Sequence, residues 1–92
     1  MNHSIQRLRD VKNLGMKTEE MLARVGITSP EQLYKADPFE IYARLKKSAP
    51  RTSLVALYAL IGAIDGQHWL EVKRDRRMEI LIRLDDMDIA PK

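Results

Sequence analysis

The order of apolar and polar residues predicts a chain built from helices. Apolar residues recur at spacings of three and four in most segments, and apolar and polar residues do not alternate over any strand-length stretch. One stretch, residues 54–64, is apolar almost all round, which is typical of a helix buried on every side. A helix of this length spans only about 16 Å, so it is a core helix and not a membrane span. We therefore predict an all-α fold of five or six short helices around residues 54–64.

A turn at Gly15 separates the first two predicted helices. The first helix begins after Ser4 and carries its apolar face on Ile5, Leu8 and Val11. The second helix covers residues 18–25 and ends at Gly26, where a left-handed residue is favoured. Because Gly15 lacks a Cβ atom, we expect it to supply the backbone freedom that the turn requires.

Two proline-led signals predict the next two helices. A helix begins at Pro30 with Leu33 facing inward, and Tyr34 is a second candidate for that inward face. Another begins after Asp37, runs to about residue 47, and carries its apolar face on Ile41, Tyr42 and Leu45. Ala49 and Pro50 then break the chain, and Ser53 caps the central helix.

A last helix is predicted over about residues 73–86, after a crossing segment of residues 67–70. We expect its buried face to carry Met78, Leu81, Ile82 and Asp85, with Ile80 and Leu84 flanking that face and Glu79 paired with Arg83. Trp69 is interpreted as a plug over the central helix, with a stacking surface for a base as the alternative. His68 is interpreted as structural or solvent-facing, because no metal-ligand pattern surrounds it.

Length and composition indicate one folded domain over residues 1–92, with a core over about 5–86 and a loose tail over 87–92. The chain has no cysteine, which excludes disulfides, Cys-ligated zinc and thiol catalysis. Charges near the N-terminus stand where a signal peptide would be apolar, so we expect a cytoplasmic protein without membrane partners.

No residue pattern indicates an enzyme. The two histidines are isolated, no glycine-rich nucleotide loop occurs, and no acid pair has the spacing of a catalytic dyad. The acidic run of Asp85, Asp86 and Asp88 is interpreted as solvated and not metal-binding. We therefore expect no catalytic residue, no metal and no cofactor.

The net charge of +3 is unevenly distributed along the chain. Residues 1–51 hold ten Lys and Arg against six Asp and Glu, whereas residues 52–92 hold six against seven. A basic hairpin half suits a polyanion partner, and an ordinary solvated surface is the alternative explanation.

The segment from Asn13 to Thr18 resembles the helix-hairpin-helix motif, whose consensus is apolar-Pro-Gly-apolar-Gly-x-Lys-Thr-Ala. Leu14, Gly15, Lys17 and Thr18 match the consensus, whereas Asn13 replaces a glycine and Glu19 replaces an alanine. Backbone N–H groups in such a turn can hold a phosphate, and Glu19 places a carboxylate nearby. The same hairpin also serves as a packing unit in interaction modules. The candidate nucleic-acid-binding residues are Lys12, Asn13, Gly15, Met16, Lys17 and Thr18.

Residues 8–84 as a whole resemble the C-terminal domain of the TfoX/Sxy family. The resemblance rests on the order and spacing of Asn13, Leu14, Gly15, Lys17, Glu20, Leu22, Val25, Gly26, Ile27, Thr28, Leu33, Ile41, Tyr42, Arg44, Leu45, Lys46, Ser53, Leu54, Leu57, Tyr58, Ala59, Leu60, Gly62, Ala63, His68, Trp69, Arg76 and Arg77. It implies a SAM-like bundle containing a helix-hairpin-helix. Full-length members of this family regulate natural competence with a cyclic-AMP-responsive transcription activator and carry an N-terminal α/β domain, so a stand-alone C-terminal domain is expected here.

Two functions follow as hypotheses. The first is a regulatory module that contacts the DNA backbone weakly, without reading sequence, through the hairpin. The second is a protein–protein adaptor without nucleic-acid contact, whose partner is a transcription regulator, a separate TfoX N-terminal-type domain, another acidic protein or a second copy. The basic surface for such docking comprises Arg44, Lys46, Lys47, Arg51, Arg74, Arg76 and Arg77.

Overall fold

The computed structural model describes residues 7–90, and the secondary structure over that range is entirely helical. A single 3-10 turn, Leu8–Asp10, precedes five α-helices. These helices are α1 (Met16–Arg24), α2 (Pro30–Lys35), α3 (Pro38–Ser48), α4 (Leu54–Asp65) and α5 (Trp69–Asp86). The predicted all-α fold around a central apolar helix is therefore confirmed, with α4 in the predicted place.

Most helices begin or end at the capping residues that the sequence indicates. Gly26 has φ +89°, and the Ile27 N–H donates to the Leu22 carbonyl at 2.9 Å, which is the bond of a Schellman motif. Ser29 caps α2 through the Gln32 N–H, and Asp37 caps α3 through the Phe39 N–H. These ends depend on local chemistry alone, and for that reason the sequence predicts them well.

The turn before α1 differs from the prediction. α1 begins at Met16, two residues early, and its N-cap Gly15 has φ −136°, an extended conformation open to any residue. The left-handed residue of this turn is Asn13, with φ +74°. Asparagine is among the few non-glycine residues that tolerate this conformation. The prediction that Gly15 supplies the conformational freedom is therefore wrong. Only the 3-10 turn is seen of the predicted first helix, whose Ser4 and Ile5 lie outside the described residues.

The core consists of two hydrophobic clusters that share α3 and α4. The first cluster, under the hairpin, contains Leu8, Val11, Leu14, Leu22, Ile27, Leu33, Ile41, Leu45, Ala59, Leu60 and Ala63. The second, under α5, contains Tyr42, Leu57, Tyr58, Ile61, Val72, Ile80 and Leu84. Trp69 packs against both clusters, which agrees with its predicted role as a plug over α4. Tyr34 faces solvent and does not join the core.

The last helix is longer than predicted, and it presents a different face to the core. It begins at Trp69, because His68 is its N-cap: the His68 Nδ1 accepts from the Leu70 N–H at 3.1 Å, and the His68 N–H donates to Glu71 at 3.0 Å. The buried residues of α5 are Val72, Ile80 and Leu84.

The predicted buried face of α5 is therefore wrong. Met78 and Ile82 are 74% and 57% exposed, and Asp85 is exposed as well. Apolar residues occupy two sides of this helix, and only the side carrying Val72, Ile80 and Leu84 fits against the second cluster.

The ion pairs of α5 also differ from the predicted Glu79–Arg83 pair. The Arg76 guanidinium forms ion pairs with Glu79 at 2.6 Å and with Asp65 of α4 at 2.6 Å. Arg83 contacts the α3 cap instead, with Asp37 at 3.1 Å and its guanidinium 4.8 Å from the centre of the Phe39 ring. These contacts tie α5 to both α3 and α4.

Part of the segment predicted to be a loose tail is packed. Ile89 and Ala90 lie against the second cluster, and the Ile89 N–H donates to the Leu84 carbonyl at 2.9 Å. The chain reverses there through Asp88, with φ +62°. Residues 91–92 lie outside the described residues.

Gly62 of α4 marks a close approach between the central helix and two other segments. A Cβ atom at this position would overlap the Gln67 carbonyl oxygen and the side-chain amide nitrogen of Asn13. We expect Gly62→Ala to lower the free energy of unfolding by about 2–4 kcal/mol, because overpacking and displacement of the Asn13 hydrogen bonds outweigh the gain of roughly 1 kcal/mol in helix propensity. Urea unfolding followed by circular dichroism measures this change.

The matched control is Gly15→Ala. A Cβ atom there meets nothing within 4 Å, and the backbone is extended, so we expect a loss of about 1 kcal/mol at most, from the weaker N-cap. Equal effects of the two substitutions would contradict the close approach at Gly62.

Candidate nucleic-acid interface

The side chain of Asn13 faces the protein interior. Its Nδ2 donates to the Gln67 carbonyl at 2.7 Å and lies 3.5 Å from the Ala59 carbonyl, while its Oδ1 accepts from the Trp69 N–H at 3.1 Å. The amide thus joins the hairpin turn to the corner between α4 and α5. Among the described residues, Asn13 is therefore the predicted phosphate-binding residue whose side chain makes hydrogen bonds within the protein.

The tip of the hairpin is exposed around the start of α1. Met16 is 62% exposed and Lys17 is exposed. Among residues 7–90 no side chain caps α1, and the first backbone bond of the helix runs from the Glu19 N–H to the Gly15 carbonyl. The N–H groups of Met16, Lys17 and Thr18 precede that bond and have no acceptor within the helix. They lie at the positive end of the helix dipole.

Glu19 does not place free negative charge at the tip. Its Oε1 accepts from the Arg9 Nη2 at 2.8 Å and Nε at 3.0 Å, and its Oε2 accepts from the Arg9 backbone N–H at 3.2 Å. These hydrogen bonds hold the pKa of Glu19 below its ordinary value. The carboxylate is thus directed toward the 3-10 turn, and its charge is balanced by Arg9.

An open groove of about 520 Å³ lies between α1, the start of α4 and Trp69. Lys17, Arg24 and Arg51 line it, and among the described residues no Asp or Glu does so. Ser53 stands at the N-cap of α4 beside this groove, and its hydroxyl makes no capping bond. Three cations and two helix N-termini therefore meet at one concave surface. The other lining residues are Asn13, Thr18, Met21, Thr52, Val55, Ala56, Ala59 and Ala49.

Of the candidate nucleic-acid-binding residues, Asn13, Lys17 and Thr18 line this groove. Lys12, Gly15 and Met16 are exposed but are not among its lining residues. Arg24 was not singled out from the sequence. It stands seven residues after Lys17, two turns along one helix face, and this spacing is the signal that indicates it.

The predicted basic docking surface does not form one site. Arg51 lies in the groove, whereas the Lys46 Nζ donates to the Pro50 carbonyl at 2.8 Å and the Thr52 carbonyl at 3.3 Å. On α5, Arg76 is engaged by Asp65 and Glu79, and Arg74 pairs with Asp75 at 2.8 Å. Exposed members are Arg44, Lys47, Arg51, Arg74 and Arg77.

The described part of the chain contains few other features that are typical of a functional site. Between residues 7 and 90 no group of three or more His, Asp or Glu side chains is placed to hold a metal ion. Burial raises the pKa of Tyr42, so its hydroxyl stays protonated at neutral pH. No helix within residues 7–90 combines the length and apolar character required to cross a bilayer.

The fold and the groove together define a small helical domain built on a helix hairpin. Residues 4–84 match the family described as the TfoX C-terminal domain, and the chain belongs to that family. This is a regulatory type of domain family and not a family of enzymes. A crystal structure of an uncharacterized protein from Listeria monocytogenes, in a triclinic form, has the same fold, with a TM-score of 0.79 and 23% sequence identity over 95% of this chain and 100% of that chain. No curated protein matches the chain.

The Arg9–Glu19 pair makes stability depend on pH. Because the pKa of Glu19 in the folded protein is below its ordinary value of 4.5, the pair stabilises the fold above about pH 4.5, and this contribution is lost as the pH falls through the lowered pKa. We expect Glu19→Gln to melt at a lower temperature than wild type near neutral pH, with the gap closing as the pH falls below about 4.

Thermal unfolding followed by circular dichroism across this pH range tests the expectation. Glu20→Gln is the matched control, because Glu20 is the next residue, is exposed and makes no ion pair among the described residues. A melting-temperature gap for Glu19→Gln that stays constant with pH would contradict the role given to the ion pair.

Proposed function

We propose that this protein is a non-enzymatic regulatory module that contacts the DNA backbone weakly through the hairpin tip and the adjoining groove. The observation that carries the proposal is the gathering of Lys17, Arg24 and Arg51 around one concave surface, without a lining acid among the described residues. A phosphate oxygen placed there would meet cations, the first N–H groups of α1 and the positive end of its dipole.

The geometry supports positioning on the backbone and not the reading of bases. Phosphate contacts fix a protein on a duplex but carry no sequence information. Three groove cations would neutralise about two or three phosphates, so the logarithm of affinity should fall with the logarithm of salt concentration at a slope of about −2 to −3. The expected dissociation constant lies in the non-specific range of roughly 10⁻⁴–10⁻⁶ M.

The pairing of Glu19 with Arg9 supports this function as well. An unpaired carboxylate at the fourth residue of α1 would repel a phosphate at the tip, whereas the paired carboxylate is turned away and neutralised. The departure from the helix-hairpin-helix consensus at Glu19 is therefore compatible with an anion at the start of α1.

Family membership supports a relation to TfoX-type regulators of transcription and natural competence. In this proposal the domain works in the cytoplasm. It adds a weak backbone contact to an assembly with a transcription regulator or with a separate TfoX N-terminal-type domain.

The test is fluorescence anisotropy of labelled duplex DNA titrated with the protein at several salt concentrations. We expect Lys17→Glu to lower affinity at least tenfold at low salt and to reduce the salt slope by about one, because one phosphate contact is removed and an anion is added. A wild-type protein that fails to bind at low salt would overturn the proposal.

The matched control is Lys35→Glu, at the exposed end of α2, outside the groove. It carries the same change in net charge, so equal losses in the two variants would show that overall charge, and not the groove, governs binding. Trp69, the only tryptophan of the chain, lines the groove and gives a second readout. Its emission should change on DNA binding in wild type and not in Lys17→Glu.

The alternative function is that of a protein–protein adaptor without DNA contact. The observation that favours it is the exposed apolar side of α5, where Leu70, Met78 and Ile82 are 51%, 74% and 57% exposed. Absence of DNA binding at low salt would leave this function as the better account.

A further inference from the structure

The outward side of α5 carries an apolar stripe that has no partner within residues 7–90. Four apolar residues of α5 lie on the side away from its buried residues Val72, Ile80 and Leu84. They are Leu70, Met78, Leu81 and Ile82. Three of these four side chains are more than half exposed. We name these four residues the α5 stripe. Exposed apolar side chains gathered on one helix face indicate an interaction site.

Charges are distributed unevenly along the α5 stripe. Lys73, Arg74 and Arg77 flank its N-terminal half and, with Leu70, line a shallow depression. Asp85 and Asp86 stand at its C-terminal end, exposed and without an ion pair among the described residues. Residues 70–78 hold four Lys and Arg against Glu71 and Asp75, and residues 79–86 hold Arg83 against Glu79, Asp85 and Asp86, so the helix is net basic at one end and net acidic at the other.

A surface polarised in this way is complementary to itself. When two such helices pack antiparallel about a two-fold axis, the basic end of each faces the acidic end of the other. An axis passing between Glu79 and Ile80 would set Arg74 opposite Asp85 and Met78 opposite Leu81, all on the outward face. An anionic membrane fits this surface less well, because Asp85 and Asp86 would be repelled by it.

We propose that the α5 stripe is the interface for a second copy of this chain, formed by antiparallel two-fold packing of α5 on α5. Arg74 can leave Asp75 and pair with Asp85 of the second copy, because Asp75 is its sequence neighbour and both side chains of the present pair are more than half exposed. Exposed pairs of this kind contribute little to stability. One helix pair buries an area at the low end of stable interfaces, so dissociation is expected on the order of 10⁻⁵ M.

The test is sedimentation equilibrium of the chain, without DNA, at concentrations on both sides of that value. Wild type is expected to pass from monomer to dimer, and Met78→Glu to remain monomeric, because it places two carboxylates at the interface. Circular dichroism of each variant confirms that α5 stays folded, since Met78 makes little contact with the core.

A charge exchange tests the antiparallel register. Arg74→Asp and Asp85→Arg should each weaken dimerisation at least tenfold by placing like charges opposite one another, and the double variant should restore it. Arg44→Asp on α3 is the control for a change of net charge, because it is exposed and lies outside α5.

Three results would overturn the proposal. They are a monomeric wild type over the whole concentration range, a dimer indifferent to Met78→Glu, and a double variant no better than either single variant. Co-sedimentation of a monomeric wild type with phosphatidylserine vesicles, lost in Met78→Glu, would assign the stripe to a membrane surface instead. Because no DNA is present, these results are independent of the groove.

Discussion

The amide of Asn13 holds the two halves of the structure in place. It lies in the hairpin turn, 46 to 56 residues before the backbone groups that it bonds. The Trp69 N–H belongs to the first turn of α5 and has no acceptor within that helix, so Asn13 satisfies it. Trp69 in turn bridges both hydrophobic clusters. The left-handed backbone at Asn13 and the missing Cβ at Gly62 are the two conditions that allow this amide to reach its partners.

This internal role changes how the hairpin resembles a nucleic-acid-binding motif. The usual glycine at position 13 would supply the same left-handed backbone but no side chain to fix the turn. Asn13 supplies both, and the turn is thereby held at the edge of the groove formed with α4. Glu19, the second departure from the consensus, is likewise explained by an internal partner, Arg9. Both substitutions thus strengthen the scaffold and leave Lys17 and the exposed N–H groups of α1 as the chemistry of the tip.

The sequence predicts the features that depend on residues close together in the chain, and it does not predict those that depend on contacts between distant residues. The caps at Ser29, Asp37 and Gly26 act over a few residues, and α4 is apolar on every side, so the sequence predicts these elements. It does not predict the buried face of α5, because α5 has apolar residues on two sides with the same helical period. Only the neighbouring helices decide between them. The groove joins Arg51 to Lys17 across 34 positions, which no local pattern indicates.

The positions of the basic side chains in the fold explain why the net charge is a poor guide to the local charge of this protein's surface. Four basic side chains bond carboxylates or carbonyls within the fold and so connect one element to another. They are Arg9, Lys46, Arg76 and Arg83. Lys17, Arg24 and Arg51 instead converge on one concave surface. Electrostatic attraction of a polyanion depends on the local field of such a cluster more than on the sum over the chain. A protein with a net charge of +3 can therefore present a basic site, because the acids that lower the sum lie elsewhere, and five of them form ion pairs among the described residues.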